Sequence, residues 1–310
     1  MTDRPWLEQP ELHVKAEHRA AQLTNPANLR EALRQAQKDP KKVLLGPGQG
    51  IPSVFVTKLL ASTKPDFVWI DAEHGVFSRS ELYDAVQAVQ HHSEGKSLAI
   101  VRVPKLDEVM LVTALDAGAA GIILPQCETA EEVRKKIKES YYPPLGHRSF
   151  SPWIFTPGVS DVSMYSDDPF NIKTANNHVA FFAQVESLKG MENLEEIAAV
   201  EGLSGLMFGP GDYSLDAQIE IKLGGPPNPR LLAAMEKFAT IGRKYNLPLL
   251  GNSSAGTDMI PIMAKQGYCA ICYLLDVWSL TQMTSDTLKK ARKALEEADF
   301  KQDGSDGKAN

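Results

Sequence analysis

FVWIDAEHGVFSRSELYDAVQAVQHHSEGKSLAIVRVP, residues 67–104, decides the fold. An apolar run ends in an acid, a polar loop follows, an amphipathic stretch opens on Ser78 with acid in its first turn, and a second β-branched run closes the unit. Short, near-continuous apolar runs bounded by turn residues read as strands buried on both faces, and the stretch between them has helical periodicity. Ser, Thr or Asp ahead of an acidic first turn suits the free N–H groups and the dipole at a helix N-terminus. A strand, a covering helix and a second strand make a parallel pair.

The same cycle recurs outward in both directions. Strands are expected at 43–46 (VLLG), 67–71 (FVWID), 98–103 (LAIVRV), 121–125 (GIILP), 179–186 (VAFFAQVE), 205–209 (GLMFG), 247–252 (LPLLGN) and 268–275 (YCAICYLL). Helical stretches between them include 78–92, 107–118, 129–140, 191–200, 228–245 and 257–267, and a last one, 276–300, follows the final strand. Eight β/α units in this length predict an α/β fold, a closed (β/α)8 TIM barrel. The alternative is a doubly wound open sheet, but the first strand meets only GPGQG, too short for a dinucleotide-binding GxGxxG turn. Residues 1–42 read as an N-terminal helical extension, 43–300 as the barrel and 301–310 as a disordered polar tail. The rhythm breaks at 141–178, where a long loop after the fourth helix carries Phe150, Trp153, Phe155, Tyr165 and Phe170. A lid over a cavity and an excursion docked outside the barrel are the two readings of it.

Composition narrows the function classes. The 310 residues are 43% hydrophobic and 23% charged, an ordinary globular balance. A net charge of −6 argues against nucleic acid or an anionic membrane surface as partner. Three cysteines make no disulfide scaffold, and neither a secretory leader nor an apolar run of membrane-spanning length is visible, so a cytoplasmic protein is expected.

Barrel enzymes work at the C-terminal ends of their strands. Polar residues stand at those ends here: Asp71, Glu73 and His74 after the second strand, Arg102 on the third, Gln184 and Glu186 on the fifth, Asp212 after the sixth, Asn252 and Ser253 after the seventh, Asp276 after the eighth. Gln184 and Glu186, two apart, share the inward face. Asp212 follows Gly209-Pro210-Gly211, a turn that lets backbone and carboxylate approach the mouth. Two carboxylates without Cys or His suit Mg²⁺ or Mn²⁺; a Glu186–Arg102 pair, or a helix-capping Glu186, would explain them equally. His74, three after Asp71, is either a base oriented by that acid or a loop histidine. Arg102 is either an oxyanion clamp or a counter-charge to Glu186 or Asp71. Cys269 and Cys272 have CxxC spacing without a second pair, and Gly251–Gly256 resembles a small phosphate cradle or a tight turn. His91-His92 and the charged run near 289–297 read as solvated helix faces. None of the eight strands carries a lysine for a Schiff base, and Lys105 and Lys189 fall beyond theirs, which favours a metal route.

DFVWIDAEHG (66–75), IVRVP (100–104), AGAAGIILPQCETAEEV (117–133), YYPPLGHRSF (141–150) and FAQVESLKGMENLEEIAAVEGLSGLMFGPGDYS (182–214) together resemble the HpcH/HpaI class II aldolases, metal-dependent pyruvate aldolases of (β/α)8 form. The resemblance spans roughly residues 28–295. It implies Glu186 and Asp212 as ligands of Mg²⁺ (or Mn²⁺ or Co²⁺), Gln184 beside them, Arg102 on the pyruvate-derived oxygens, and His74 with Asp71 as the acid–base pair. Asp116, at a helix end, would reach a neighbouring subunit's site, in a homohexamer built as a trimer of dimers that exchange the last helix. A narrower resemblance, carried by Trp69, Phe150, Pro152 and Trp153, is to a branch that decarboxylates oxaloacetate and joins the enolate to a 2-pyrone. Gly209, Pro210, Trp69, Phe150, Pro152 and Phe170 would then contact substrate. Phe170 stands where that branch has a hydrogen-bonding lid tyrosine, and Ser149 follows Arg148 where the family commonly has glycine.

The expected activity is a carbon–carbon lyase that forms a pyruvate enolate from oxaloacetate or from a 4-hydroxy-2-oxo acid. Its alternatives are a citramalate-type or hydroxy-oxo-diacid lyase, and a non-catalytic barrel that binds metal or a metabolite.

Overall fold

The computed structural model describes residues 27–152, 154–155, 170–221, 228–253 and 256–298. Eight parallel strands close in sequence order into one barrel: β1 (Leu44–Gln49), β2 (Phe67–Asp71), β3 (Leu98–Arg102), β4 (Gly121–Leu124), β5 (Ala180–Val185), β6 (Gly205–Phe208), β7 (Leu249–Asn252) and β8 (Tyr268–Leu275). Closure settles the choice between barrel and open sheet, since β1 pairs with both β2 and β8.

The helices are α1 (Leu29–Lys38), α2 (Val54–Ser62), α3 (Arg79–His92), α4 (Glu108–Asp116), α5 (Ala130–Ser140), α6 (Ala175–His178), α7 (Leu188–Glu192), α8 (Leu194–Ala198), α9 (Pro210–Asp216), α10 (Pro229–Lys244), α11 (Ile260–Gln266) and α12 (Asp276–Glu297). Ser78 and Thr129 each form a reciprocal capping box with the glutamate three residues on, which fixes where α3 and α5 begin. Alternate strand residues fill the barrel with Phe67, Leu98, Ile100, Ile123, Phe182, Met207 and Leu250, while α1 seals the lower end with Leu29 and Leu33 in the same cluster. Of the expected N-terminal extension only α1 and a short 3-10 turn at Pro40–Lys42 fall among the described residues; 1–26 and the expected tail lie outside them.

Among the differences from the sequence expectation, two are the larger. β1 runs on through Pro47 to Gln49, past the expected end at residue 46. The register against β8 shifts there, Gly46 facing Cys272 and Pro47 facing Leu274, so the proline sits at a bulge where no regular ladder bond is demanded. The stretch 191–200 is two short helices, interrupted at Asn193.

The loop of 141–178 turns on its own aromatics. Phe150 stacks on Phe155 at 5.8 Å, Phe155 on Phe170 at 5.5 Å, and Phe170 meets His178 edge-on at 5.4 Å. Tyr142, Phe170 and Ala175 form a small buried cluster with Ile154 and Phe155 against it. Trp153 and Tyr165 lie outside the described residues.

Candidate active site

A cavity of about 650 Å³ opens at the C-terminal mouth of the barrel. Trp69, Asp71, His74, Arg102, Gln184, Gly209, Pro210 and Asp212 all line it, brought together from β2, β3, β5 and the start of α9.

The charged centre follows from strand register. Asp71 and Arg102 are direct partners across β2 and β3, so their inward side chains meet. The pair is bidentate: Arg102 Nε donates to Asp71 Oδ1 at 2.8 Å and Nη2 to Oδ2 at 2.5 Å. The guanidinium also lies 5.3 Å from the centre of the Trp69 ring, and Nη1 is 3.4 Å from Glu73 Oε2. Burial opposes its charge, but the Asp71 hydrogen bond and the charges of Asp71, Glu73 and Glu186 outweigh burial and hold Arg102 above its ordinary value.

Of the expected Asp71–His74 pair, this geometry shows a contact through the backbone only. Asp71 is occupied by Arg102, and what it offers His74 is an acceptor for the backbone N–H, at 3.4 Å, together with that of Glu73 at 3.2 Å. The His74 ring is 68% exposed, with Nε2 at 3.9 Å from Glu73 Oε2. Sequence spacing identified two nearby residues; the in-register arginine one strand away was the stronger partner.

Gln184 and Glu186 do share the inward face, Gln184 Nε2 donating to Glu186 Oε2 at 2.5 Å. Gln126 N–H donates to Glu186 Oε1 at 2.8 Å. Gly209 passes so close that a Cβ on it would collide with Glu186 Oε2, which explains the glycine. Burial pushes the Glu186 carboxyl up to about 7; the Gln126 N–H opposes this, the charge of Asp212 adds to it, and the Gln184 amide and Arg102 oppose it. Asp212 enters from the first turn of α9, where the helix dipole favours an acid.

These residues fit a divalent cation. Gln184 Oε1 is buried with no hydrogen-bond partner among the described residues, and the buried Glu186 carboxyl, with the charge of Asp212 acting on it, shares the single Arg102 cation with Asp71 and Glu73. Glu186 and Asp212 would supply two hard oxygen ligands and leave room for substrate oxygens.

Phe150, Pro152, Phe170 and Asp116 are not among the residues lining this cavity. Phe170 is buried in the loop's own cluster and Phe150 stacks at its edge, because apolar rings gain more from each other than from a polar mouth. Pro152 is exposed. Asp116 accepts from Arg148 Nη2 at 2.7 Å and lines a second cavity of about 590 Å³ with Arg79, Tyr83, Thr113 and Ser151. Within one chain the long loop is therefore not a cover for the mouth over its described part.

The sequence reading missed Gly50 and, on the opening of α12, Val277 and Trp278, which complete the cavity wall. The signal available was DVWSL directly after the eighth strand, where a barrel helix would ordinarily turn an apolar face inward. Asp276 is structural: its carboxylate accepts from Gly50 N–H at 2.8 Å and Ile51 N–H at 3.1 Å, tying α12 to the loop after β1. Burial pushes the Cys269 and Cys272 thiols up to about 11 and about 12, which disfavours the thiolate that a redox CxxC would use. The Ser253 hydroxyl is bound to Gly256 O at 2.6 Å, and residues 254–255 of the expected cradle lie outside the described residues.

A closed parallel barrel whose mouth joins a buried arginine to a pair of metal-fitting carboxylates defines a class: barrel enzymes that stabilise negative charge on a small oxygen-rich substrate. Residues 53–281 match the HpcH/HpaI aldolase/citrate lyase family, and the chain belongs to it. It is a carbon–carbon lyase acting on 2-oxo acids, and metal-dependent pyruvate-enolate chemistry fits the family. The family's class II aldolases depend on a divalent metal. The crystal structure of a macrophomate synthase is 55% identical, with a TM-score of 0.85 over 94% of this chain and 98% of that one. A 2-dehydro-3,6-dideoxy-6-sulfogluconate aldolase of Pseudomonas putida is 29% identical over 74% of this chain and 86% of its own length. A 4-hydroxy-2-oxovalerate aldolase of Novosphingobium aromaticivorans is 33% identical over 62% of this chain and 68% of its own. No helix among the described residues is long and apolar enough to cross a membrane.

Proposed function

We propose that the chain is a Mg²⁺-dependent lyase that generates the enolate of pyruvate, by decarboxylating oxaloacetate, by cleaving 4-hydroxy-2-oxo acids, or by both. The observation that carries this is that Arg102, Gln184, Gly209 and Asp212 line one cavity, while Gln184 and Gly209 of its wall lie directly against the Glu186 carboxylate. Hard oxygen donors favour Mg²⁺, with Mn²⁺ or Co²⁺ as substitutes. Held by Glu186 and Asp212, the ion would supply a Lewis acid for the 2-oxo acid's keto oxygen, a contribution of several kcal/mol.

The chain's own groups divide the remaining work. Arg102, held in place by Asp71, donates to the oxygen on which negative charge accumulates. Trp69 Nε1 and Gln184 Oε1, both buried without a hydrogen-bond partner among the described residues, offer a donor and an acceptor in the cavity wall for orienting substrate. Gly209 and Pro210 shape the wall beside them. Loss of CO₂ from oxaloacetate leaves its electron pair in the enolate and needs no base. Breaking C3–C4 of a 4-hydroxy-2-oxo acid requires the C4 hydroxyl proton to leave, and His74 is positioned in the wall to take it.

The decisive experiment adds oxaloacetate and Mg²⁺ to the full chain. CO₂ release that stops with a chelator and returns with Mg²⁺ is expected, together with pyruvate from a panel of 4-hydroxy-2-oxo acids. Pyruvate and Mg²⁺ binding without turnover of any of these would leave a binding barrel in place of an enzyme.

The chain is also proposed to work as a homo-oligomer, a hexamer assembled from dimers that exchange α12. Along α12 only Asp276 is buried; Val277, Leu280, Met283, Leu288 and Leu295 are exposed and Trp278 is 59% exposed. Phe55 and Leu59 on α2 and Ile262 on α11 are exposed as well. Apolar surface on this scale calls for a second protein surface. In such an assembly Asp116 would reach a neighbour's mouth. Light scattering should give a mass several times 34.0 kDa, and Leu280→Lys/Leu288→Lys should lower it. A monomeric wild type refutes the assembly.

A further inference from the structure

We infer that Leu275, Val277 and Trp278 select 4-hydroxy-2-oxo acids with an apolar, uncharged tail beyond C4, a substrate class that rests on the lyase reading above. Trp278 is the specificity-determining residue.

Ring closure sets this wall apart from the charged pole of the mouth. Counted around the barrel, β8 stands three strands from β3, which carries Arg102, and three from β5, which carries Gln184. Leu275, Val277 and Trp278 line the same cavity as those two side chains. The neighbouring strand gives them room. A Cβ on Gly48 of β1 would collide with Leu275, and one on Gly50, just beyond β1, would come within 3.1 Å of Val277. Bare backbone there lets the apolar groups close the wall. Trp278 follows with 59% of its surface exposed, a broad face for a bound tail to cover.

Charge excludes the other kind of tail. The cavity lining includes no lysine among the described residues, and its one arginine already answers Asp71 and Glu73. His74, the other group there able to carry positive charge, has Glu73 Oε2 at 3.9 Å. Within the wall itself, between Leu275 and Val277, stands Asp276. Its carboxylate accepts from the N–H groups of Gly50, Ile51 and Val277, all neutral donors. A second carboxylate brought to Trp278 would lose water beside Asp276 and meet no cation. An alkyl tail has no such cost and gains about fourfold in binding for each methylene it buries. Oxaloacetate escapes this sorting, because its chain ends at C4 and that carboxylate departs as CO₂.

The test sets 4-hydroxy-2-oxoheptanoate against 4-hydroxy-2-oxoheptanedioate on the full chain with Mg²⁺. The two have one length and differ in a terminal carboxylate. kcat/KM for the uncharged tail should exceed that for the charged one at least about tenfold. Shortening the tail to 4-hydroxy-2-oxovalerate should cost several-fold, and Trp278→Ala should remove most of that difference. Trp278→Arg, which plants a cation at the same place, should turn the preference toward the dianion. Calorimetry repeats the comparison with 2-oxoheptanoate and 2-oxoheptanedioate, which lack the C4 hydroxyl and cannot be cleaved. If no hydroxy acid is cleaved but 2-oxoheptanoate binds the tighter, the lyase reading fails and the apolar wall stands as a binding selectivity. Equal or better use of the dianion by wild type, in cleavage and in binding, overturns the inference. So does a Trp278→Ala chain that keeps the length preference, or one that loses assembled mass in light scattering with its selectivity unmoved.

Discussion

Glu186→Gln and Asp212→Asn should each lower metal-dependent oxaloacetate decarboxylation by about 10³-fold or more, since several kcal/mol of Lewis-acid stabilisation is removed and each 1.36 kcal/mol is a factor of ten. Both changes are isosteric, so the cavity keeps its shape. The Glu186 case separates a lost metal from a lost fold. Burial holds that carboxyl near 7, above the ordinary value of 4.5. The metal-free folded chain therefore binds the Glu186 proton better than the unfolded chain does, and its stability falls as pH rises from about 4.5 through about 7. Glutamine removes that penalty. Metal-free Glu186→Gln should unfold at the same temperature as metal-free wild type, or higher, at pH above 7, while losing activity.

The same carboxyl links metal affinity to pH. Binding must displace the Glu186 proton, so apparent affinity should tighten close to tenfold per pH unit below about 7 and level off above it. Calorimetric titration with Mg²⁺ at several pH values reads this directly. Full activity in either variant ends the metal assignment. Affinity that ignores pH below 7 would move the ion away from Glu186.

How much of this could be read from residues alone depended on the distance over which the deciding interaction acts. The strands were legible because burial on both faces makes each a short apolar run, and polar residues at their ends marked the mouth because a charge inside such a run demands a partner. Which partner was legible only as one of several readings, Arg102 standing as a counter-charge to Glu186 or Asp71. Asp71 and His74 are three apart in sequence, whereas Asp71 and Arg102 become neighbours only when β2 and β3 pair in register. Pro47 hid the end of β1 because proline is a poor strand residue except at a bulge, and the bulge arises from β8. Phe150 and Phe170 signalled cover for something apolar, which they were, but their covers are Phe155 and Tyr142, in the loop itself. Trp278 was passed over for a related reason: a helix with apolar residues on its outer face implies a surface that one chain does not contain.

Arg102 should show the second large effect. Arg102→Ala is expected to reduce kcat and kcat/KM for oxaloacetate together, by about 10²–10³-fold, the range for removal of one donor to a developing oxyanion. Alanine also strands Asp71, Glu73 and Glu186 without their shared cation, so some loss of thermal stability accompanies it. Arg102→Lys separates the two effects. Lysine restores a charge for the three carboxylates but not the planar fork that meets Asp71 with two N–H groups while leaving others for substrate. The lysine variant should regain most of the melting temperature and little of the rate. Asp71→Asn approaches the same claim from the other side: the guanidinium keeps its charge and loses its anchor, so kcat should fall less than in Arg102→Ala while KM stays within a few-fold. A raised KM at constant kcat in Arg102→Ala would make the arginine a uniform binder of substrate. Recovery of both rate and stability by lysine would mean that charge alone matters in this mouth, and that the register-imposed fork between β2 and β3 serves the fold and not the reaction.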